Sequence, residues 1–336
     1  MRTAVTAVKA ISSLEDLRNR LFAFRASRIV LTAFELGIFT ALGKRERSAQ
    51  SLARELNTDP RATDRLMNAL CALRLLRKKN IAFANSSLAA RYLVRGSPRY
   101  LSGLAHTARL WHSWSTLTPA VGRGRTVIRD GRTGRDTEMI GGFIASMHER
   151  ASLQATDTVK LINLSSVRRT LDIGAGSGAY SIAMARAEKK IRATVFDLPE
   201  VIRLAKEYVR REGLLERFDF LPGDFNRSGF GSGYDLILLS AIVHMNPPGR
   251  NRRLLAKAAK ALNPKGQLVI QDYIMNRDRT RPALGAIFAL NMLVGTEGGD
   301  TYTEAEVREW MKGSGLSGIV RHNTPFSSSL MIGVKQ

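Results

Sequence analysis

An apolar strand running straight into three alternating glycines constrains this chain more than any other feature: Leu171-Asp172-Ile173-Gly174-Ala175-Gly176-Ser177-Gly178. Glycine lacks a Cβ, so the strand can turn sharply into a helix that starts near Ala179, with main-chain N–H groups facing outward at the turn. From Val167 onward the alternation repeats. Strands are expected near 170–173, 192–196, 218–221, 234–240 and 267–271, with helical patterns between them. Such a series predicts an α/β fold, a doubly wound and mostly parallel Rossmann-like sheet with ligands at the carboxyl ends of its strands. The last two apolar runs, Ile319–His322 and Ser329–Val334, leave no room for a helical crossover. A terminal antiparallel hairpin follows.

On the glycines alone the ligand stays open, because Gly174, Gly176 and Ala179 also fit G-x-G-x-x-A, the dinucleotide pattern. The acids narrow it. Asp172 puts a carboxylate just before the glycines, where a pyrophosphate would be repelled and a ligand carrying an ammonium and a sulfonium would be welcome. Asp197 closes the next strand and can grip two ribose hydroxyls. A third strand runs into Pro222-Gly223-Asp224-Phe225, which offers a carboxylate for an adenine amino group and a ring to stack on it. One aspartate at a strand end is ordinarily a turn or cap. Three at successive strand ends favour S-adenosylmethionine.

The chain has 336 residues, 44% of them apolar, enough for a large core and for two domains. No apolar run reaches the ~18 residues of a membrane span, and Lys9, Glu15 and Asp16 interrupt any signal-peptide core. Its single cysteine, Cys71, excludes an intrachain disulfide, fits a reducing cytoplasm and reads as packing rather than as a catalytic thiol. The formal charge of +23 leans towards the first 150 residues, which hold 26 Lys and Arg against 11 Asp and Glu. The basic residues are scattered, and the longest tight run is Arg77-Lys78-Lys79. A solvated face explains this better than a nucleic-acid partner, which stays open.

Towards the N-terminus, Leu14, Leu17, Leu21 and Phe24 fall at helical spacing, and Val30–Leu42 continues as another apolar helix. Ser48–Leu56 reads as a short helix, and Asn57-Thr58-Asp59-Pro60 as a turn with Pro60 at a helix start. Arg61–Leu76 is then a strong amphipathic helix with Leu66, Leu70, Leu73 and Leu76, followed by a hairpin-like stretch from Ile81. Helix–turn–helix followed by a ribbon is a winged-helix pattern. Arg61, Arg65, Asn68 and Arg74 could face a DNA groove, which keeps a DNA-binding regulator with a metabolite-sensing domain as the alternative. The broad apolar stripe favours packing against another subunit. Residues 97–160 read as connecting helices, with a basic, glycine-rich loop from Gly122 to Gly134.

The runs Leu171–Gly178, Val195-Phe196-Asp197-Leu198-Pro199, Pro222–Phe225, Tyr234–Leu238 and Leu262-Asn263-Pro264-Lys265-Gly266-Gln267-Leu268 resemble those of the plant- and bacterial-type small-molecule O-methyltransferases. The likeness covers nearly the whole length. It implies a winged-helix dimerisation domain over residues 1–100, a helical connector contributing to the acceptor pocket over 101–160, and a class I methyltransferase domain over 161–336. It also implies a homodimer, a hydroxylated aromatic or polyketide-like acceptor, and no metal. Onto this sequence it carries donor contacts at Asp172, Gly174, Gly176, Gly178, Asp197, Leu198, Asp224, Phe225 and Ser240. The acceptor walls become Phe143, Met147, Asn291 and Met292; Glu297 either reaches the pocket as well or is a solvated loop carboxylate.

The same resemblance makes His244 a catalytic base, and removal of the acceptor's proton suits an imidazole. Its usual partners are two glutamates. Here the first position is Asp272, one methylene shorter, and the second falls near Thr301. Where relatives have an acidic-aromatic stretch after the histidine, this chain has Met245-Asn246-Pro247-Pro248, and Ser240 stands where many have lysine. These departures keep a relative that retains the cofactor but performs other chemistry as a further alternative.

Overall fold

A computed structural model describes residues 10–128 and 137–336. It divides into two units, Lys9–Leu110 and Trp111–Gln336. Of the expected basic loop, Gly122 and Arg123 close the helix Leu117–Arg123, while Asp130, Gly131 and Gly134 lie outside the described residues. Among the described residues, no helix is long and apolar enough to cross a membrane.

In the first unit, helices Leu14–Phe22, Phe24–Glu35 and Ile38–Leu42 precede a winged-helix order. The expected Val30–Leu42 helix is broken because Gly37 takes a left-handed φ of 74°, a turn that glycine makes without steric cost. Strand β1 (Arg47–Ser48) leads into helix Ala49–Leu56, capped by the Ser48 side chain. Helix Pro60–Ala72 follows, capped by Asp59 with Pro60 in its first turn. That helix stops four residues short of the expected Leu76, because Arg74 sits at φ 58° and turns the chain into β2 (Leu76–Lys79). With β3 (Ala82–Asn85), these make a small antiparallel sheet in the order β1-β3-β2. Its core packs Phe39, Leu42, Leu52, Met67, Leu70 and Phe83. Buried Asn85 donates to the carbonyls of Phe39 (2.8 Å) and Gly43 (2.9 Å), which pins the wing to the helix Ile38–Leu42.

The second unit is built on seven strands: β4 (Arg169–Ile173), β5 (Arg192–Asp197), β6 (Phe218–Pro222), β7 (Tyr234–Ser240), β8 (Leu262–Asp272), β9 (Leu316–Asn323) and β10 (Ser329–Lys335). Their order is β6-β5-β4-β7-β8-β10-β9. Strands β4 to β8 are parallel, and β10 pairs antiparallel with both β8 and β9. The terminal hairpin is therefore present, with its second strand inserted against β8. Apolar runs such as Leu236–Leu239 and Leu268–Ile270 are buried on both faces because helices cover the sheet on either side. The chain steps outward from β4 to β6, then returns to place β7 beside β4. That reversal opens a crevice at the carboxyl ends of β4 and β7.

Candidate active site

The glycine turn leaves β4 and enters helix Ala179–Ala187, with Gly174, Gly176 and Gly178 all at positive φ (70°, 58° and 76°). At Gly174 the turn is also crowded: a Cβ there would lie 2.3 Å from Ile242 Cδ1. At the end of β5, Asp197 accepts the Gly176 N–H (2.8 Å) on one oxygen and the Leu198 N–H (2.7 Å) on the other. Both oxygens keep free lone pairs, so the carboxylate is oriented and can still accept hydroxyls. Asp172 is 1% exposed. Ser181 donates to its Oδ2 at 2.8 Å, and its Oδ1 has no hydrogen-bond partner among the described residues. Burial pushes its carboxyl up from 3.8 to about 7.

Beyond β6, Asp224 turns Oδ1 onto the backbone N–H of Asn226 at 2.8 Å, and Phe225 packs against the central core. The loop is clamped from helix Pro248–Ala261. There Lys257 donates to the carbonyls of Phe225 and Ser228 and lies 4.3 Å from the Phe230 ring centroid. Ser240, at the end of β7, donates to Gln271 Oε1 at 2.6 Å. It also neighbours the buried Tyr180 hydroxyl, which burial pushes up to about 12. The charge of Arg150 works against that rise and the charge of Asp172 adds to it.

His244 sits just past β7 in a single turn of 3-10 helix, Val243–Met245, and Asp272 is the last residue of β8. Neighbouring parallel strands thus bring the two together from 28 residues apart. Nδ1 of His244 lies 2.9 Å and 3.0 Å from the two Asp272 oxygens. The carboxylate is held in turn by the N–H groups of Tyr273 (2.8 Å) and His244 (3.3 Å). A carboxylate can only accept, so Nδ1 carries the proton and Nε2 is left as the basic nitrogen. Nε2 has no hydrogen-bond partner among the described residues. The imidazole is 10% exposed and stands edge-on to Phe288, with ring centroids 4.8 Å apart. Thr301, at the second glutamate position, is 2% exposed and follows Asp300, whose N–H donates to the His244 carbonyl.

The residues expected on the acceptor side lie on two helices, Thr137–Val159 and Ala283–Gly295. The first carries Phe143, 42% exposed, and half-buried Met147. Its Ile144 approaches Gly176, and its Arg150 donates to the Tyr273 hydroxyl. The second carries Phe288, Asn291 and buried Met292. Asn291 accepts from Trp114 Nε1 at 2.9 Å, which fixes the orientation of its amide and leaves its NH2 to meet a ligand. Glu297 does not reach inward: its side chain is 86% exposed and lies 3.8 Å from Arg250.

Residue pattern alone missed Tyr180, Arg150, Tyr273, Phe288 and Lys257. Only the placement of Tyr273 directly after Asp272 hinted at a role. Gly299 carries a further expectation. A Cβ there would meet the His244 carbonyl oxygen at 2.3 Å and the Met245 carbonyl carbon at 3.1 Å, both rigid backbone atoms. Gly299→Ala should displace the His244 turn at a cost of about 1–3 kcal/mol. Steady-state kinetics should then show kcat reduced roughly tenfold with donor binding unchanged.

Two family models match the chain: an O-methyltransferase domain over residues 118–317 and an O-methyltransferase dimerisation domain over residues 19–95. The chain belongs to the O-methyltransferase family. This O-methyltransferase is 31% identical to the 3-hydroxy-5-methyl-1-naphthoate 3-O-methyltransferase of Streptomyces sahachiroi, over 96% of this chain and 94% of that protein. It is 28% identical to the tetracenomycin polyketide synthesis 8-O-methyl transferase TcmO of Streptomyces glaucescens, over 95% and 96% of the two chains. Among solved structures, PigF with SAH superposes with a TM-score of 0.84 at 24% identity, covering 96% of this chain and 100% of that one. Family membership makes the protein a methyltransferase with S-adenosylmethionine as its donor. The site fits that donor, since a buried carboxylate oxygen without a partner lies behind a glycine cradle.

Proposed function

We propose that this O-methyltransferase acts as a homodimer on a hydroxyl of a small, largely flat aromatic or polyketide-like acceptor, with His244 as the base and Asp272 as its orienting partner. The observation that carries the reading is the His244–Asp272 pair. Its Nε2 faces away from the carboxylate, at the end of the strand beside the glycine turn. The donor supplies an electrophilic methyl on a positively charged sulfur. The chain's own residues have two duties: to align the acceptor oxygen with that methyl and to take the hydroxyl proton as the O–C bond forms and the C–S bond breaks. Nε2 of His244 takes the proton, and Asp272 stabilises the imidazolium that results.

On the donor side, Asp172 suits the ammonium, and Asp197 suits the ribose hydroxyls. Asp224 and Phe225 suit the adenine. Among the described residues Arg150 has no carboxylate within ion-pair distance, and its charge and that of Asp172 act on the same Tyr180 hydroxyl from opposite signs. Opposed charges around one point suit the zwitterionic end of an amino acid. Phe143, Met147 and Met292 supply adaptable apolar walls for the acceptor, and the Asn291 NH2 supplies one polar contact. Cys71, half-buried and unpaired, suits a reducing cytoplasm.

Transfer of a labelled methyl group from S-adenosylmethionine to a panel of hydroxynaphthoates and polyketide phenols tests the reading. O-methylated product is expected. Absence of transfer across the panel, with S-adenosylhomocysteine still bound, would count against the acceptor class. For the homodimer, the support is an apolar row on the N-terminal helices: Leu14, Leu21, Phe22 and Phe24 are each more than 50% exposed in the single chain. Soluble chains rarely leave such a row uncovered. The double substitution Leu21→Asp and Phe24→Asp should shift sedimentation from dimer to monomer, and an unchanged mass would refute that interface.

A further inference from the structure

Between Gly174 and Gly178 the turn has only two side chains, and Ser177 is the only polar one. It is 3% exposed and flanked by glycines at positive φ, which have no side chains with which to hold their own conformation. Its hydroxyl meets His148 of the helix Thr137–Val159, with Oγ 2.8 Å from Nδ1. The imidazole is itself fixed on three sides. Nε2 lies 3.2 Å from Ser152 Oγ, one turn along the same helix. The ring stacks on Tyr208 of helix Pro199–Arg211, centroids 4.0 Å apart and 30° from parallel. Arg211, the last residue of that second helix, and Glu212, which caps it, flank the ring, and burial with the Arg211 charge holds the ring below the usual histidine range despite Glu212. The neutral ring that results accepts at one nitrogen and donates at the other, which satisfies both serine hydroxyls.

Four residues earlier, Ile144 packs on the neighbouring glycine, its Cδ1 3.8 Å from where a Cβ on Gly176 would lie. One face of this helix therefore grips the glycine turn at two successive residues, and the same helix carries Phe143 and Met147. We propose that His148 is a positioning residue for the donor turn. By fixing the Ser177 hydroxyl it holds the Gly176–Gly178 backbone in its ligand-ready form, so that turn need not be ordered at the expense of donor affinity. This rests on the donor assignment proposed above. It goes beyond that assignment by giving the acceptor-side helix control over donor affinity through a residue that touches neither substrate.

Three variants test it. His148→Phe keeps a ring over Tyr208 and loses the hydrogen bond, Ser177→Ala loses the same bond from the other side, and His148→Asn returns a polar atom close to the place of Nδ1. Calorimetry with S-adenosylhomocysteine and steady-state kinetics with a methylated acceptor are the measurements. His148→Phe and Ser177→Ala should each raise the product Kd and the donor KM about tenfold, the worth of one hydrogen bond. Under saturating donor, kcat should stay within about twofold, the double variant should be no worse than either single one, and His148→Asn should recover most of the affinity. Wild-type affinity in His148→Phe, multiplied losses in the double variant, or a fall in kcat with unchanged donor KM would each overturn the proposal. If the wild-type protein itself binds no S-adenosylhomocysteine, the donor assignment falls first and takes this inference with it.

Discussion

Replacing His244 by Gln should lower kcat by about 10²- to 10⁴-fold, the usual contribution of a positioned general base, with S-adenosylhomocysteine binding unchanged. The size follows from how fully the imidazole is committed to one task. Asp272 accepts the Nδ1–H hydrogen bond on both oxygens, and two backbone N–H groups keep that carboxylate from turning away. Phe288 stands against the ring. Nε2 is therefore aimed by its surroundings and is basic, whereas a Gln amide of similar reach accepts no proton at neutral pH. Asp272→Asn should cost at least about tenfold in kcat by a different route. The amide NH2 can donate to Nδ1, which moves the imidazole proton to Nε2 and occupies the basic lone pair. Turnover by His244→Gln within a few-fold of wild type would mean that alignment alone carries the transfer, and would remove proton abstraction by His244 from the mechanism.

Much of this site was readable from the chain because its parts sit at strand ends. Asp172 lies one residue from the end of its β-strand, Asp197 and Asp272 close theirs, Asp224 and His244 follow theirs, and in a parallel sheet the carboxyl ends of neighbouring strands converge. Apolar runs located the strands, so they located the acids as well. The N-terminal helices were less legible. Periodicity marked Val30–Leu42 as one apolar stretch but said nothing of the backbone, and Gly37 and Arg74 both break or end helices by adopting positive φ. Contacts from helix side chains to the loops at the strand ends were not legible at all. His148 meets Ser177 across 29 residues, Lys257 meets Phe225 across 32, and Arg150 meets Tyr273 across 123. A hydrophobic stripe reports which face is covered and is silent about what covers it.

Asp172→Asn should weaken S-adenosylhomocysteine binding by about 10- to 100-fold, the worth of a hydrogen bond to a charged group, and should stabilise the donor-free protein at alkaline pH. Both effects come from one buried carboxyl. Burial raises it to about 7 from 3.8, and the single hydroxyl from Ser181 does not offset that cost. Between those two values the folded protein keeps a proton that the unfolded chain has lost. Native protein therefore binds more protons, and the stability of the donor-free form should fall as pH rises through that window and level off above about 7. Asparagine cannot ionise, so the variant should lose this slope and melt higher at pH 8, by roughly 2–4 °C for each kcal/mol recovered. A ligand that brings an ammonium to the unpartnered Oδ1 favours the ionised form. Its affinity for the wild-type protein should then drop by up to about tenfold per pH unit below 7, and should not do so for Asp172→Asn. Thermal melts and calorimetry between pH 5 and pH 9 read both slopes. If the variant binds S-adenosylhomocysteine as tightly as the wild type and the melting slope persists, the buried carboxyl plays no part in holding the donor.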